Sequence, residues 1–146
     1  MSDPASNLIL YPVFAMFALV IFVLMRMRSM RFAAVRNREV DVRFYRAFQE
    51  GSEPEPLRVI SRHFVNLFEM PVLFYVGVIM TYVTQNVSGW MVGCAWTYVA
   101  LRYAHSFVHL TSNNVPVRVS VYFASSAVLL VMWATLLVQL LRAGEP

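Results

Sequence analysis

The sequence predicts an all-α membrane protein, a bundle of four transmembrane helices with both termini outside. Three observations carry this reading. Hydrophobic residues make up 59% and charged residues 14% of the 146 residues, whereas a soluble domain carries about 25% charged residues. The mean hydropathy is +0.58. Uncharged apolar runs recur along the chain at lengths that suit a ~30 Å hydrocarbon core. The length suits a single domain, 1–146. Such a composition excludes a disordered chain and argues against a soluble enzyme. Cys94 is the one cysteine, so a disulfide framework or a multi-cysteine zinc or iron–sulfur site within one chain is excluded.

The first span is expected over about 8–28. Met1 to Asn7 contains Asp3 and no basic residue, unlike the positive start of a signal peptide. Leu8 to Met25 is an uncharged run interrupted only by Pro12, and it ends at Arg26, Arg28 and Arg31. A cytoplasmic loop, about 29–63, follows. From Arg26 to Arg62 the chain holds nine arginines and five acids, with Gly51-Ser52-Glu53-Pro54-Glu55-Pro56 breaking the segment in two.

Met70 to Leu101 has no charge and is too long for one ordinary span. Thr84-Gln85-Asn86-Val87-Ser88-Gly89 reads as a turn in its middle. Spans two and three are therefore expected over about 64–83 and 89–110. Thr111 to Pro116 makes a second turn, and Pro116 suits the first turn of a new helix. Span four is expected over about 117–141, closed by Arg142.

All 12 basic residues are arginine. Their excess lies in the first loop and at the start of span four, while the turn near Asn86 has no charge. The positive-inside rule then puts the first loop and the Asn113 turn in the cytoplasm. The net charge of +4 is thus a topology signal, and no nucleic-acid partner is needed to explain it. The lysine-free composition fits a GC-rich bacterial genome, so the expected location is the bacterial inner membrane.

Ionisable groups inside a span are costly and tend to be functional. Here they form three stripes. Arg62, Asn66 and Glu69 fall at i, i+4, i+7 of span two; Arg102, His105 and His109 at i, i+3, i+7 of span three; Arg118 and Tyr122 at i, i+4 of span four, with Ser125 and Ser126 one turn on. Pro71 removes a donor two residues after Glu69 and loosens that helix. All three stripes lie toward the cytoplasmic ends, so a single polar cavity opening to the cytoplasm is expected. Its arginines suit an anionic ligand through bidentate carboxylate pairs.

Each group also has a plainer reading. Arg26, Arg28 and Arg31 serve equally as snorkelling anchors. Glu69 can pair with Arg102 or Arg62 as structural glue, and Tyr122 can be a packing residue. His105 and His109 are spaced like a metal pair, but no acidic or thiol third ligand sits beside them in sequence, and no metal is expected. Tyr11, Tyr98 and Trp90 read as interfacial belt residues, Cys94 as a small buried side chain.

The stretch Arg62-His-Phe-Val-Asn66-Leu-Phe-Glu69-Met-Pro71 resembles the R-x-x-x-N-x-x-E motif of the MAPEG family, the membrane-associated proteins of eicosanoid and glutathione metabolism. The spacing of Arg102, His105, position 109, Arg118 and Tyr122 is similar to that of the prostaglandin-synthase and microsomal glutathione transferase branch. The resemblance covers roughly Leu8 to Leu141. It implies a homotrimer of four-helix subunits with glutathione bound between neighbours near the cytoplasmic face. By position, Arg62, Asn66 and Glu69 match residues that hold the glutathione backbone. Arg102, His105, His109 and Tyr122 match others lining the site, and Arg118 matches the arginine that stabilises the thiolate. An arginine from the end of span one also contributes in the family; Arg26, Arg28 and Arg31 are the candidates. Three positions depart from the pattern: His109 stands where relatives often carry Tyr, Val65 where the prostaglandin branch carries Arg, and Val119 where it carries a hydroxyl.

The resemblance implies a glutathione-dependent transferase or peroxidase acting on a lipophilic small molecule delivered by membrane lipid. The alternatives are a lipid-binding scaffold without chemistry, favoured by Val65 and Val119, and a small transporter, for which the apolar outer halves of the spans leave no visible path.

Overall fold

The computed structural model describes residues 4–41, 44–45 and 53–143. Asp3, Arg43, Arg46, Glu50 and the Gly51-Ser52 pair of the first loop lie outside them. The described residues form helices and turns, with no strand among them. A 3₁₀ helix, Pro4–Leu10, leads into α1, Tyr11–Arg36. Then follow α2, Glu55–Asn66; α3, Met70–Val83; α4, Gly89–Leu110; and α5, Val115–Ala143. They make four legs: α1, the broken α2–α3 leg, α4 and α5.

α1 buries Pro12, Met16, Leu19, Val23, Met27 and Ala34, spaced to fall on one face. Its other faces expose Phe14, Phe17, Phe22, Met25 and Phe32. A helix apolar all round belongs in lipid or deep in a core. The helix runs on to Arg36, two turns beyond the expected end near 28. Nothing between Val13 and Arg36 breaks a helix, and arginine is a good helix former. The end is a Schellman motif: the Arg38 N–H donates to Val35 O at 3.0 Å and the Glu39 N–H to Ala34 O at 2.9 Å, with Arg38 at φ 60°. With α2 starting at Glu55, the connection narrows from the expected 29–63 to 37–54.

The second leg is not one continuous helix. Where a single span over 64–83 with a loosened turn was expected, α2 stops at Asn66 and α3 restarts at Met70. Pro71 lacks the N–H that would bond to Leu67, and its ring crowds that carbonyl. Glu69 leaves helical geometry altogether, at φ −95°, ψ −100°. Both later turns fall where the sequence places them. Ser88 caps α4 by accepting from the Met91 N–H at 3.3 Å. Asn114 Oδ1 accepts from the Val117 N–H at 3.3 Å at the start of α5.

α4 is the most enclosed leg and packs against α1, α2 and α5. Its buried face runs from Met91 through Tyr98 and Arg102 to His109. Tyr98 is therefore not a belt residue: it is fully buried, stacked on Phe74 with ring centroids 4.6 Å apart. Tyr11 and Trp90 are exposed, and Cys94 is buried. α3 approaches α5 closely at Gly77, where an added Cβ would sit 3.3 Å from Trp133 Nε1; that indole donates to Leu73 O at 3.3 Å.

Three helical segments are long and apolar enough to cross a membrane: Ser6–Arg36, Glu55–Val83 and Val115–Ala143. α4 has the length, 22 residues, but it is not one of the three; Arg102, His105, Ser106 and His109 lower its hydropathy.

Gly77→Leu is expected to force α3 off Trp133. Overpacking of this kind costs about 1–3 kcal/mol, and thermal unfolding in detergent should show a lower midpoint.

Candidate functional site

Arg102 stands at the centre of the bundle, fully buried. Its Nη2 donates to Asn66 O at 3.3 Å. Asn66 ends α2, so that carbonyl is among those a helix C-terminus leaves without an intrahelical partner. The guanidinium also lies over the Tyr122 ring, 5.6 Å from its centroid. Its Nε and Nη1 have no hydrogen-bond partner among the described residues. Helices α2, α4 and α5 thus meet at one cation.

One to two turns further along α4, His105 and His109 are buried, and His63 of α2 joins them, itself fully buried. The ring centroids lie 4.7 Å apart for His63–His109 and 5.7 Å for both other pairs. His105 Nδ1 pairs with the Arg118 carbonyl at 3.1 Å, which makes Nδ1 the protonated nitrogen. Both His63 nitrogens, His105 Nε2 and His109 Nδ1 have no hydrogen-bond partner among the described residues. A buried polar group left unpaired costs about 1–3 kcal/mol, so this arrangement calls for a reason.

His63 was not singled out by its sequence context, because it stands at an unspecified position of the R-x-x-x-N-x-x-E motif. The available signal is periodic: Leu57, Ile60 and His63 form the inward stripe of α2, continued by Leu67. Arg62, next to His63, necessarily points elsewhere.

Arg118 bridges the histidines to the surface. Its Nη1 donates to Asn113 Oδ1 at 2.7 Å and lies 3.4 Å from His109 Nε2. Asn113 adopts φ 47°, a left-handed conformation that asparagine tolerates. A polar pocket of about 150 Å³ opens here, lined by Glu55, Arg58, Arg62, His109, Asn113 and Arg118. It gathers three guanidiniums against one carboxylate.

The remaining expected site residues are dispersed. Arg62 and Glu69 are exposed and Asn66 is half-buried. The break after Asn66 places Glu69 beyond the α2 helix that carries Arg62 and Asn66. Tyr122 is half-buried, its ring 5.8 Å from His105. Arg31 pairs with Glu53 at 3.4 Å, donates to Ser61 Oγ at 3.2 Å, and lies over the Tyr45 ring at 5.2 Å. Burial and then the Glu53 carboxylate push the Tyr45 hydroxyl above its ordinary range. Arg26 and Arg28 are exposed, and Arg28 lies over Phe32. Within one chain, then, the stripes make a buried histidine–arginine core, a small arginine-rich mouth that includes Arg62, and an exposed Glu69 beyond the break, where one cavity was expected.

An apolar groove of about 590 Å³ runs between α1 and the break in the second leg, lined by Phe14, Phe17, Phe64, Leu67, Phe68 and Tyr75 among others. It abuts the segment that carries Asn66 and Glu69.

The Tyr122 ring face, not its hydroxyl, is what meets Arg102. Tyr122→Phe should therefore leave stability nearly unchanged. Tyr122→Leu should lose about 0.5–2 kcal/mol of cation–π attraction, read from denaturant unfolding in detergent. Equal losses in both would assign the contribution to the hydroxyl.

No curated protein and no solved structure matches the chain. The MAPEG family does match, over residues 9–138. That region holds every polar stripe described above and nearly all of the bundle. With a match of this extent and three helices long and apolar enough to span a bilayer, the chain is an integral membrane protein and belongs to the MAPEG family.

Proposed function

We propose that the protein is a glutathione-dependent transferase or peroxidase that acts on lipophilic electrophiles, with Arg118 stabilising the thiolate. The observation that carries this is the arginine-rich pocket, where Arg118 is held in place by Asn113 at 2.7 Å beside Arg58 and Arg62. A free thiol has a pKa near 8.5 and is mostly protonated at neutral pH. A permanent cation beside the sulfur favours the thiolate. The thiolate then forms an S–C bond with the electrophile as its leaving group departs with the bonding pair, or it forms an S–O bond with a peroxide as the O–O bond breaks and an alkoxide leaves. In the peroxide case a second glutathione then reduces the sulfenic acid to give the disulfide and water.

A pocket of about 150 Å³ takes up a thiolate or carboxylate but not a whole tripeptide. Arg62 at the edge of that pocket and the exposed Glu69, near exposed Val65 and Phe68, would hold the rest against a neighbouring subunit. Charged side chains on an otherwise apolar exterior call for such a partner. This supports the homotrimer with glutathione between subunits, with Asn66 and Tyr122 lining the same interface and Arg31 as the span-one arginine. In the same reading α4 is the fourth crossing, which keeps both termini outside and the arginine mouth on the cytoplasmic side. Arg102 and the histidines are compatible with its crossing because they face the bundle interior. The apolar groove beside Asn66 is the docking surface for the electrophile. The prostaglandin isomerase reaction is disfavoured by Val65 and Val119.

The test is turnover of a model electrophile by detergent-purified protein. Arg118→Ala is expected to lower glutathione-dependent turnover by about 10²–10³-fold, as loss of one anion-stabilising donor does. Glutathione at 100 times its Kd should stabilise the wild type by about 2.7 kcal/mol, with a smaller gain in Glu69→Gln. Turnover that is unchanged in Arg118→Ala sinks the catalytic role. Stabilisation without turnover of any electrophile would favour the second reading, a lipid-binding scaffold, for which the open 590 Å³ groove is the supporting observation.

A further inference from the structure

We propose that the chain binds one divalent transition-metal ion of the zinc class through His63, His105 and His109. The chain has three histidines, and all three converge, from two different legs of the bundle. Their ligand nitrogens all lie within 4.8 Å of one another. No two of the rings share a hydrogen bond, so mutual N–H···N pairing does not account for the cluster. Four imidazole nitrogens in it have no partner among the described residues.

The donor set is right for the ion. Imidazole suits zinc and its neighbours, and three protein ligands with a fourth open position is the arrangement of catalytic-type zinc sites. Metal–nitrogen bonds of about 2.0–2.1 Å put tetrahedral ligands roughly 3.4 Å apart. Closing from 4.8 Å to that spacing asks the rings to rotate about χ2, a soft torsion. His105 is already oriented: its Nδ1–H bonds to the Arg118 carbonyl and leaves Nε2 as the lone-pair nitrogen. This is the outer-shell contact typical of a metal-bound histidine. His63 offers either nitrogen, and His109 offers Nδ1. The pocket lined by Glu55 and Asn113 reaches His109 and supplies an entry path.

The surrounding charge decides what else the site holds. Arg102 and Arg118 both act electrostatically on His63, and Arg118 and Arg62 on His109. A dication placed among these cations takes an anion as its fourth ligand. Metal at His109 Nδ1 also puts the proton on Nε2, which faces Arg118 Nη1 at 3.4 Å. Arg118 must then turn fully onto Asn113, which it already contacts at 2.7 Å. Metal and the Arg118–His109 contact therefore compete. The site shares His109 and its arginine-rich entrance with the thiol reading, but that reading needs the Arg118 side chain and no metal.

The test uses tag-free, detergent-purified protein stripped with EDTA and titrated with Co²⁺ alone, with zinc content measured in parallel. The expected result is one ion per chain and the visible absorption of four-coordinate cobalt. Affinity should fall roughly ten-fold or more in His63→Gln and His109→Gln, and should be kept or raised in Arg118→Ala. X-ray absorption of the zinc-loaded wild type should count three imidazoles, and it needs no variant to fold. Binding unchanged in His63→Gln, no saturable binding, or fewer than three imidazoles would overturn the proposal. Loss of glutathione turnover in Arg118→Ala with metal binding retained would separate the metal proposal from the thiol reading.

Discussion

Arg102 is a charge that cannot be neutralised and that lies where no water reaches it. A guanidinium in that position must be met by acceptors or by a π face, because burying an unpaired charge is among the costliest things a fold can do. The bundle meets it from two sides. Tyr122 on α5 presents its ring. α2 presents the carbonyl of Asn66, which is available because α2 ends there. The end in turn follows from Pro71, which cannot continue the helical ladder. Breaking the helix, freeing the carbonyl and seating the cation are thus one event, and it fixes how α2, α4 and α5 meet.

The same break divides the polar residues into two populations. Before it, Leu57, Ile60, His63 and Leu67 face inward, and the imidazole of His63 meets those of α4. Arg62, on the same helix, is exposed and lines the arginine-rich mouth. Beyond the break Glu69 is also exposed. In a bilayer the two populations carry different costs. An inward histidine needs only a partner within the bundle. The exposed Glu69 carboxylate next to Phe68 acts on Arg102 from within the chain and leaves its outer side open to a ligand, a headgroup or a neighbouring subunit.

Much of this was legible in the sequence. The apolar runs, both short turns and the spacing of Arg102, His105 and His109 on one helix face follow from local rules. Periodicity sorts residues by face, an uncharged run marks a span, and Ser88, Asn114 and Pro116 punctuate helix starts in predictable ways. The motif from Arg62 to Glu69, together with the four expected spans and the spacing of Arg102, His105, Arg118 and Tyr122, pointed to the MAPEG family, which the match over residues 9–138 shows. The extent of α1 was less legible. Arginines mark where a span leaves the hydrocarbon but do not stop a helix, so the span and the helix end at different residues.

What sequence alone determined is the set of helices, their apolar faces and the inventory of charges that must be accommodated. These depend on residues a few positions apart. Tertiary structure alone decided the partners: that Arg102 meets Asn66 O, that Tyr98 stacks on Phe74 inside the core, and that His63 joins two histidines more than 40 positions away in the chain. It also decided that Arg62 joins Arg58 and Arg118 at one pocket while Glu69 is exposed beyond the break. Such contacts depend on the crossing of helices and on the geometry of one break at Pro71, and no local pattern records the rotation of one helix about its axis relative to another.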